Sequence, residues 1–459
     1  MLKIELIIIA ALMLCYICAP RYVSASYMAI VIALVALSYS LLYIHAGTKE
    51  ILRNHFFSNS NLFLLMYFVV CFQFPIDYII GNDGINYSNY FYNLRTINLS
   101  VTFDAMCFVS FIIGLMSRNF KETGFYNVPE VSFVSPKIVL RLLIVFWLGF
   151  IIFLNKDYVM GGHGSVLINP ISVAFYGYFW RLNIVYLAIC LHNNKGIKLG
   201  LKGALMTLPL LYLLIVGIAV LLFLLANNRV YVFNLLTPCL FYLLCITHFK
   251  SKPIPSMILI GIASVFFTLF KIFGLENLFS ISNLQVHDLQ GYDRFASFSP
   301  FTSELAGSIL ADSALFDVWY NHGVVTLGST LVLGVLRSIS GLVPIFFYIT
   351  GLSSSTYDTG VYITKLLSAD YGLGSSVSGD LILSVGFLGT LACMFFFGKL
   401  CFYGDSILRT NRNNLKGTVI ALCISSQVLF VARASLCDLI AAILFNILFL
   451  KIYMNIVSH

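Results

Sequence analysis

Charged side chains are scarce in this sequence, and one placed beside a long apolar run is costly enough to be a functional candidate by default. Arg229 occupies the tight turn Ala226-Asn227-Asn228-Arg229 between two apolar runs, and Arg433 stands in Val431-Ala432-Arg433-Ala434-Ser435-Leu436 at the end of another. A guanidinium is a planar fork matched to phosphate, so two arginines on helix ends can converge on one anionic head group. The other reading is that both reach to lipid phosphates and anchor the topology. Arg181 lies within an apolar segment and Asp104 near the outer end of another. A second constellation holds Asp293-Arg294, Glu304 in Thr302-Ser303-Glu304-Leu305, Asp312, Asp317, Tyr320, His322 and Arg337. Group transfer there would need a carboxylate or His as general base, with cations to stabilise a charged leaving group. Glu304 and His322 are the candidate bases, and Arg294 and Arg337 join Arg229 and Arg433 as candidate anion ligands. For each loop residue taken singly, solvated surface is the competing reading.

A glycine-rich run follows, Tyr371-Gly372-Leu373-Gly374-Ser375-Ser376-Val377-Ser378-Gly379-Asp380, leading into a helix that carries Gly386-Phe387-Leu388-Gly389. Glycines ahead of a helix let backbone N–H groups approach a phosphate at its positive end. Gly372, Gly374 and Ser375 are the candidates for such contacts, with Tyr292 as an aromatic candidate in the preceding loop. A glycine-rich turn that merely re-enters the membrane fits as well, and with no strand before it the run is not a dinucleotide fingerprint.

The elements that must position these residues follow from composition. Of 459 residues 60% are apolar and 10% charged, against roughly 25% charged in soluble domains, and the mean hydropathy is +0.94. So few ionisable groups cannot coat a soluble chain of this length. Spanning helices need about 20 mostly apolar residues, because unpaired backbone groups in hydrocarbon cost several kcal/mol each. Twelve segments meet this test, at about 4–19, 24–44, 62–80, 100–117, 138–154, 171–191, 203–225, 230–247, 255–270, 381–398, 417–431 and 438–454. The expectation is an all-α polytopic membrane protein of about 12 spans, within a range of 11 to 13. Lys3 and the apolar run to Ala19 form an uncleaved first helix, since Ile17 is too bulky for a cleavage site.

With the amino terminus in the cytoplasm, 16 basic residues fall in short inner loops and nine on the longer outer side, as the positive-inside bias demands. Both termini are then cytoplasmic. Val324 to Thr350 competes as a thirteenth span, but counting it would export Lys399, Arg409, Arg412 and Lys416 and sink Arg337 into the bilayer. It is therefore expected outside the membrane, in the interface or dipping in and returning. Helices occupy 1–270 and 381–459, and one large outer loop spans 271–380 with nine acids against four bases. The net +8 is mostly a topology signal and argues little for nucleic acid.

All eleven cysteines fall in or beside predicted helices. A disulfide framework is not expected, and Cys15-x-x-Cys18 inside an apolar helix reads as small packing residues rather than a metal or redox motif. No internal repeat of the kind common in secondary transporters is visible.

Taken together, these pieces resemble the bacterial O-antigen (oligosaccharide repeat-unit) polymerase family. The resemblance covers the hydropathy layout, a dozen spans with one dominant outer loop late in the chain. It also covers, in order, the Asn228-Arg229 turn, the Glu304 segment, the apolar Gly328–Pro344 stretch, Gly372-x-Gly374-Ser375-Ser376 with Gly386-x-x-Gly389, and Ala432-Arg433-Ala434. Ala434 stands where glycine often follows the arginine, and Ser338-Ile339-Ser340 where an Ile-Pro-Arg-like run is frequent.

What the resemblance implies is a metal-independent, inverting glycosyltransferase without cofactors, in the bacterial inner membrane. It would transfer the growing glycan from undecaprenyl pyrophosphate onto an incoming undecaprenyl-pyrophosphate-linked repeat unit at the periplasmic face. Its partners would be those lipid-linked oligosaccharides, membrane lipid, and a chain-length regulator and flippase of the same pathway. On this expectation Arg229, Arg433, Arg294 and Arg337 hold pyrophosphate, and Glu304 or His322 deprotonates the acceptor hydroxyl. Two other readings stay open: an O-antigen ligase, with the same donor and lipid A core as acceptor, and a lipid-linked oligosaccharide flippase. The large loop, the few mid-helix charges and the lack of a repeat count against the flippase.

Overall fold

A computed structural model describes residues 2–44, 55–81, 94–117, 134–155, 169–194, 198–226, 228–278, 299, 302–323, 326–368, 374–410 and 414–457. At 94, 95, 229, 266–278, 303, 304, 356, 410 and 457 it describes the backbone alone. These residues are nearly all helical. Among them the one bridge of β type joins His55 to Ser251.

The amino-terminal part contains Leu2–Ile17 (α1), Ala25–Ile44 (α2), Asn59–Ile79 (α3), Leu94–Met116 (α4), Lys137–Ile152 (α5), Pro170–Asn193 (α6), Leu201–Met206 (α7), Leu210–Leu225 (α8), Arg229–Thr247 (α9) and Pro253–Leu278 (α10). After these come six short helices, Ser303–Ala306 (α11), Ser308–His322 (α12), Ser329–Leu336 (α13), Leu342–Thr350 (α14), Ser354–Tyr357 (α15) and Thr359–Leu366 (α16). The chain closes with Val377–Thr410 (α17), Leu415–Val431 (α18) and Cys437–Val457 (α19). Each of the twelve apolar segments is helical over most of its length. Among the described residues seven helices are long and apolar enough to cross a membrane: α2, α3, α4, α6, α9, α17 and α19. The apolar helices α8 and α18 and the start of α10 are shorter.

The bundle buries polar groups within a largely apolar core and turns further apolar side chains outward. Leu210, Leu221 and Ile254 lie open on the surface, whereas Asn61, Asp77, Asn98, Asp104, Asn183 and Asn446 are buried. Hydrocarbon solvates leucine as well as a core would, while polar groups need partners that only other helices supply. Where α4 and α17 cross, the residues are small. A Cβ on Gly114 would overlap the Phe395 carbonyl, and one on Gly398 would overlap that of Phe111.

Segments that alternation assigns to one side meet at one end of the bundle. Phe56 N–H donates to Ser251 O, Asn193 pairs with Val134, Tyr453 donates to Ser135 O, and Asp405 accepts from the backbone of Asn59 and Ser60. At the opposite end Asn98 donates to Pro20 O and Tyr22 O.

Several boundaries depart from the sequence expectation. Leu208-Pro209 separates α7 from α8, so 203–225 is not one helix, because a proline cannot continue the preceding turn. The helix expected at 381–398 runs from Val377 to Thr410 and bends at Gly386, whose φ of 74° and ψ of −179° interrupt it. That bend exposes carbonyls, and the Thr326–Gly328 stretch covers them: Thr326 N–H donates to Leu383 O and Gly328 N–H to Ser384 O. The 324–350 stretch is accordingly no single rod. It breaks at 337–341 between α13, which packs on α19, and α14, which buries none of its residues.

The largest departure concerns α12. Its acids were expected on a solvated loop surface, yet Ser308 through Phe316 are all buried. This helix runs antiparallel along α4 on a polar seam. Thr96 Oγ1 donates to Asp317 at 2.7 Å, and Ser100 and Ser313 share a hydrogen bond of 2.6 Å. The loop thus returns a helix to the bundle, where side chains meet what would otherwise be unpaired hydroxyls on α4.

Candidate functional site

Three stretches distant in sequence converge at the buried end of α12. Arg433, just past α18, donates from Nε to Ser308 Oγ at 3.3 Å. Gly374, ahead of α17, lies against the same arginine: a Cβ there would sit 3.4 Å from Arg433 O and 3.5 Å from its Nε. Ser376 N–H donates to Asp312 Oδ1 at 2.6 Å, one turn along α12 from Ser308.

Arg229 begins α9, and Asn228 caps that helix by accepting from Tyr231 N–H, so the Asn-Arg turn is a capping device. α9 and α18 are antiparallel: Gln427 donates to Asn234 at 3.0 Å, and the Phe233 and Phe430 rings are 6.0 Å apart. Following both helices back one turn puts the start of α9 level with Ala432. The side chains of Arg229 and Glu304 lie outside the described residues. The backbone of Glu304 is in α11, four residues ahead of Ser308. Tyr292, Arg294 and Gly372 lie wholly outside the described residues.

His322 does not join this group. It is exposed at the far end of α12, fourteen residues from Ser308, or about 21 Å along a helix. Arg337 has a different setting from the one expected. Its guanidinium donates to Asp358 at 2.7 Å and Asp438 at 3.5 Å, tying α16 to the start of α19. The backbone carbonyls of Arg337 and Ser338 accept from Arg181 at 3.0 and 3.2 Å, which gives that mid-helix cation its partners.

Just past Gly374 and Ser375, the Ser376 N–H at the start of α17 meets the protein's own Asp312 carboxyl. Ser375 is buried. Gly379 is required by this approach, since a Cβ would meet Asp312 Cγ at 3.0 Å and Cα at 3.2 Å, with Oδ1 closer still. Burial pushes the Asp312 carboxyl well above the ordinary carboxylate range, Asp104 pushes the same way, and the bond from Ser376 offsets part of this.

Beneath lies a cluster of which the sequence pointed only to Asp104 and Asp312. Tyr67 O–H donates to Ser378 Oγ at 2.6 Å, and Ser378 donates to Asp104 Oδ1 at 2.6 Å. Ser376 shares a 2.7 Å bond with Ser378. Asp104 is mid-helix rather than near an outer end, because α4 begins at Leu94. The signal was present in spacing: Thr96, Ser100 and Asp104 recur every four residues on one face of an apolar helix, as do Tyr67 and Cys71. No protein-family model, curated protein or solved structure matches the chain.

Proposed function

We propose that this chain is a membrane glycosyltransferase that polymerises lipid-linked oligosaccharide repeat units, O-antigen or a related surface polysaccharide, at the periplasmic face of a bacterial inner membrane. The observation that carries the reading is the meeting of Arg433 and Gly374, each in a stretch that the family resemblance picks out, with Ser308, four residues past Glu304, beside the level at which α9 starts with Arg229. Both substrates are amphiphiles, so a site among helix ends, reached sideways from lipid, suits them without a large soluble domain.

In this mechanism Arg433 and Arg229 bind the donor's pyrophosphate. Glu304, in the short helix leading to Ser308, takes the proton of the acceptor hydroxyl. The resulting oxygen attacks the anomeric carbon of the growing chain's reducing-end sugar as the bond to pyrophosphate breaks. The leaving group departs as undecaprenyl pyrophosphate, its charge met by the two guanidinium groups. His322, some 21 Å along α12 from Ser308, is left without a part.

The test is complementation of a deletion strain with Arg433→Ala, Arg433→Lys and Arg229→Ala at matched protein levels, read as surface-glycan ladders. The alanine variants should leave core plus one repeat. The lysine variant, which keeps charge and loses the fork, should lie between. Wild-type ladders from both alanine variants overturn the assignment, and bare core with polymer held on the lipid carrier identifies a ligase instead.

A further inference from the structure

Cys71 on α3, Asp104 on α4 and Asp312 on α12 each direct a ligand atom to one point: the thiol sulfur and one oxygen from each carboxylate lie within 4.8 Å of one another. All three residues are buried. With metal–ligand bonds of about 2.0–2.3 Å, tetrahedral donors stand about 3.5 Å apart. Closing this set on an ion therefore needs shifts on the scale of a side-chain adjustment.

A second observation points to a ligand. Asp104 and Asp312 are each 2% exposed, and Oδ2 of both has no hydrogen-bond partner. Their Oδ1 atoms are fixed from behind, Asp104 by Ser378 and Tyr67, Asp312 by the Ser376 amide. One oxygen held and the other open is the pattern by which outer residues orient a carboxylate for a metal. Among the described residues no basic side chain pairs with either carboxylate. Two buried anions side by side cost several kcal/mol unless a positive charge joins them.

We infer that Cys71, Asp104 and Asp312 bind one divalent cation of borderline softness, of the zinc class, which fastens the loop helix α12 to the membrane helices α3 and α4. The thiolate argues against magnesium or calcium, which take oxygen donors. Ser376 or Ser378, hydrogen-bonded to the carboxylates, is placed to complete or orient the set. The ion stands apart from the glycan chemistry proposed above and would hold whichever reaction the chain performs.

The experiment uses the full chain purified in detergent without chelators, with metal content measured by mass spectrometry. One zinc per chain is expected, and Asp312→Asn or Asp104→Asn should weaken retention at least about tenfold. Where either variant fails to fold, Ser378→Ala keeps Cys71, Asp104 and Asp312, removes the bond that orients Asp104 together with those to Tyr67 and Ser376, and should still weaken binding, by about 10-fold or more. Replacement by cobalt should give a thiolate charge-transfer band that Cys71→Ser abolishes and Cys107→Ser keeps. Wild-type protein holding no zinc, and showing neither the cobalt band nor a higher melting midpoint on adding either metal, overturns the site and leaves a proton shared between the two acids. A band lost in Cys107→Ser and kept in Cys71→Ser overturns the ligand assignment.

Discussion

Gly379→Ala separates local helix preference from tertiary contact by the sign of its effect. In the first turn of α17, propensity alone has alanine stabilising by up to about 1 kcal/mol. The structure argues the reverse. The new Cβ would come to 3.0 Å from Asp312 Cγ and 3.2 Å from its Cα, with Oδ1 closer. The start of α17 or the carboxylate must move. Overpacking of this kind costs about 1–3 kcal/mol, and losing the bond from Ser376 N–H costs about 0.5–1.5 kcal/mol. Net of a propensity gain of up to about 1 kcal/mol, destabilisation by about 0.5–4.5 kcal/mol is expected. The assay is the melting midpoint of detergent-purified protein beside Gly177→Ala and Gly217→Ala, where nothing stands within 4 Å of the added methyl. Those two should match or exceed wild type while Gly379→Ala falls clearly below it. In an Asp312→Ala background the penalty should shrink, because Oδ1 and Cγ are gone and only the contact with Cα stays. A Gly379→Ala midpoint equal to the two controls, or a full penalty without the Asp312 carboxylate, would refute the reasoning.

Gly386→Ala should cost about 1–3 kcal/mol, since φ 74° with ψ −179° is a conformation open essentially to glycine; an unchanged melting midpoint counts against the bend. Replacing Gly114 or Gly398 by leucine should separate α4 from α17 and lower the yield of monodisperse protein in size-exclusion chromatography, with Gly217→Leu as the comparison. Arg337 and Asp358 are each about a third to a quarter exposed, so their coupling in a double-mutant cycle should be only about 0.2–1 kcal/mol; a value of several kcal/mol would mean the pair is effectively desolvated. His322→Ala should leave glycan ladders at wild-type length, and loss of polymer would return this residue to the site.

The placement of the apolar helices was legible in the sequence because hydrophobic length is a local property. Any run of about 20 apolar residues must pair its backbone internally in lipid, whatever its neighbours are. The Asn228 cap is local as well, the side chain serving the turn beside it, although the sequence was read there only as a tight turn. Arg433 and the Gly374 run were recognisable as candidates one at a time. Whether Arg433 would meet Ser308, and whether the amide ahead of α17 would face a ligand or the protein's own Asp312, depended on which helices became neighbours.

Neighbourhood is decided by pairings that sequence spacing does not encode. Thr96, Ser100 and Asp104 marked a polar stripe on α4, but nothing local said that a helix from a loop some 200 residues later would cover it. Average composition made that loop look like acidic surface, whereas burial of Asp312 follows from its fit between Ser376 and Gly379. The sequence by itself determined that this chain belongs in a membrane, because hydropathy acts residue by residue. Tertiary structure alone decided which few polar groups lie together inside it, because buried polar atoms must find partners and those partners come from elsewhere in the chain.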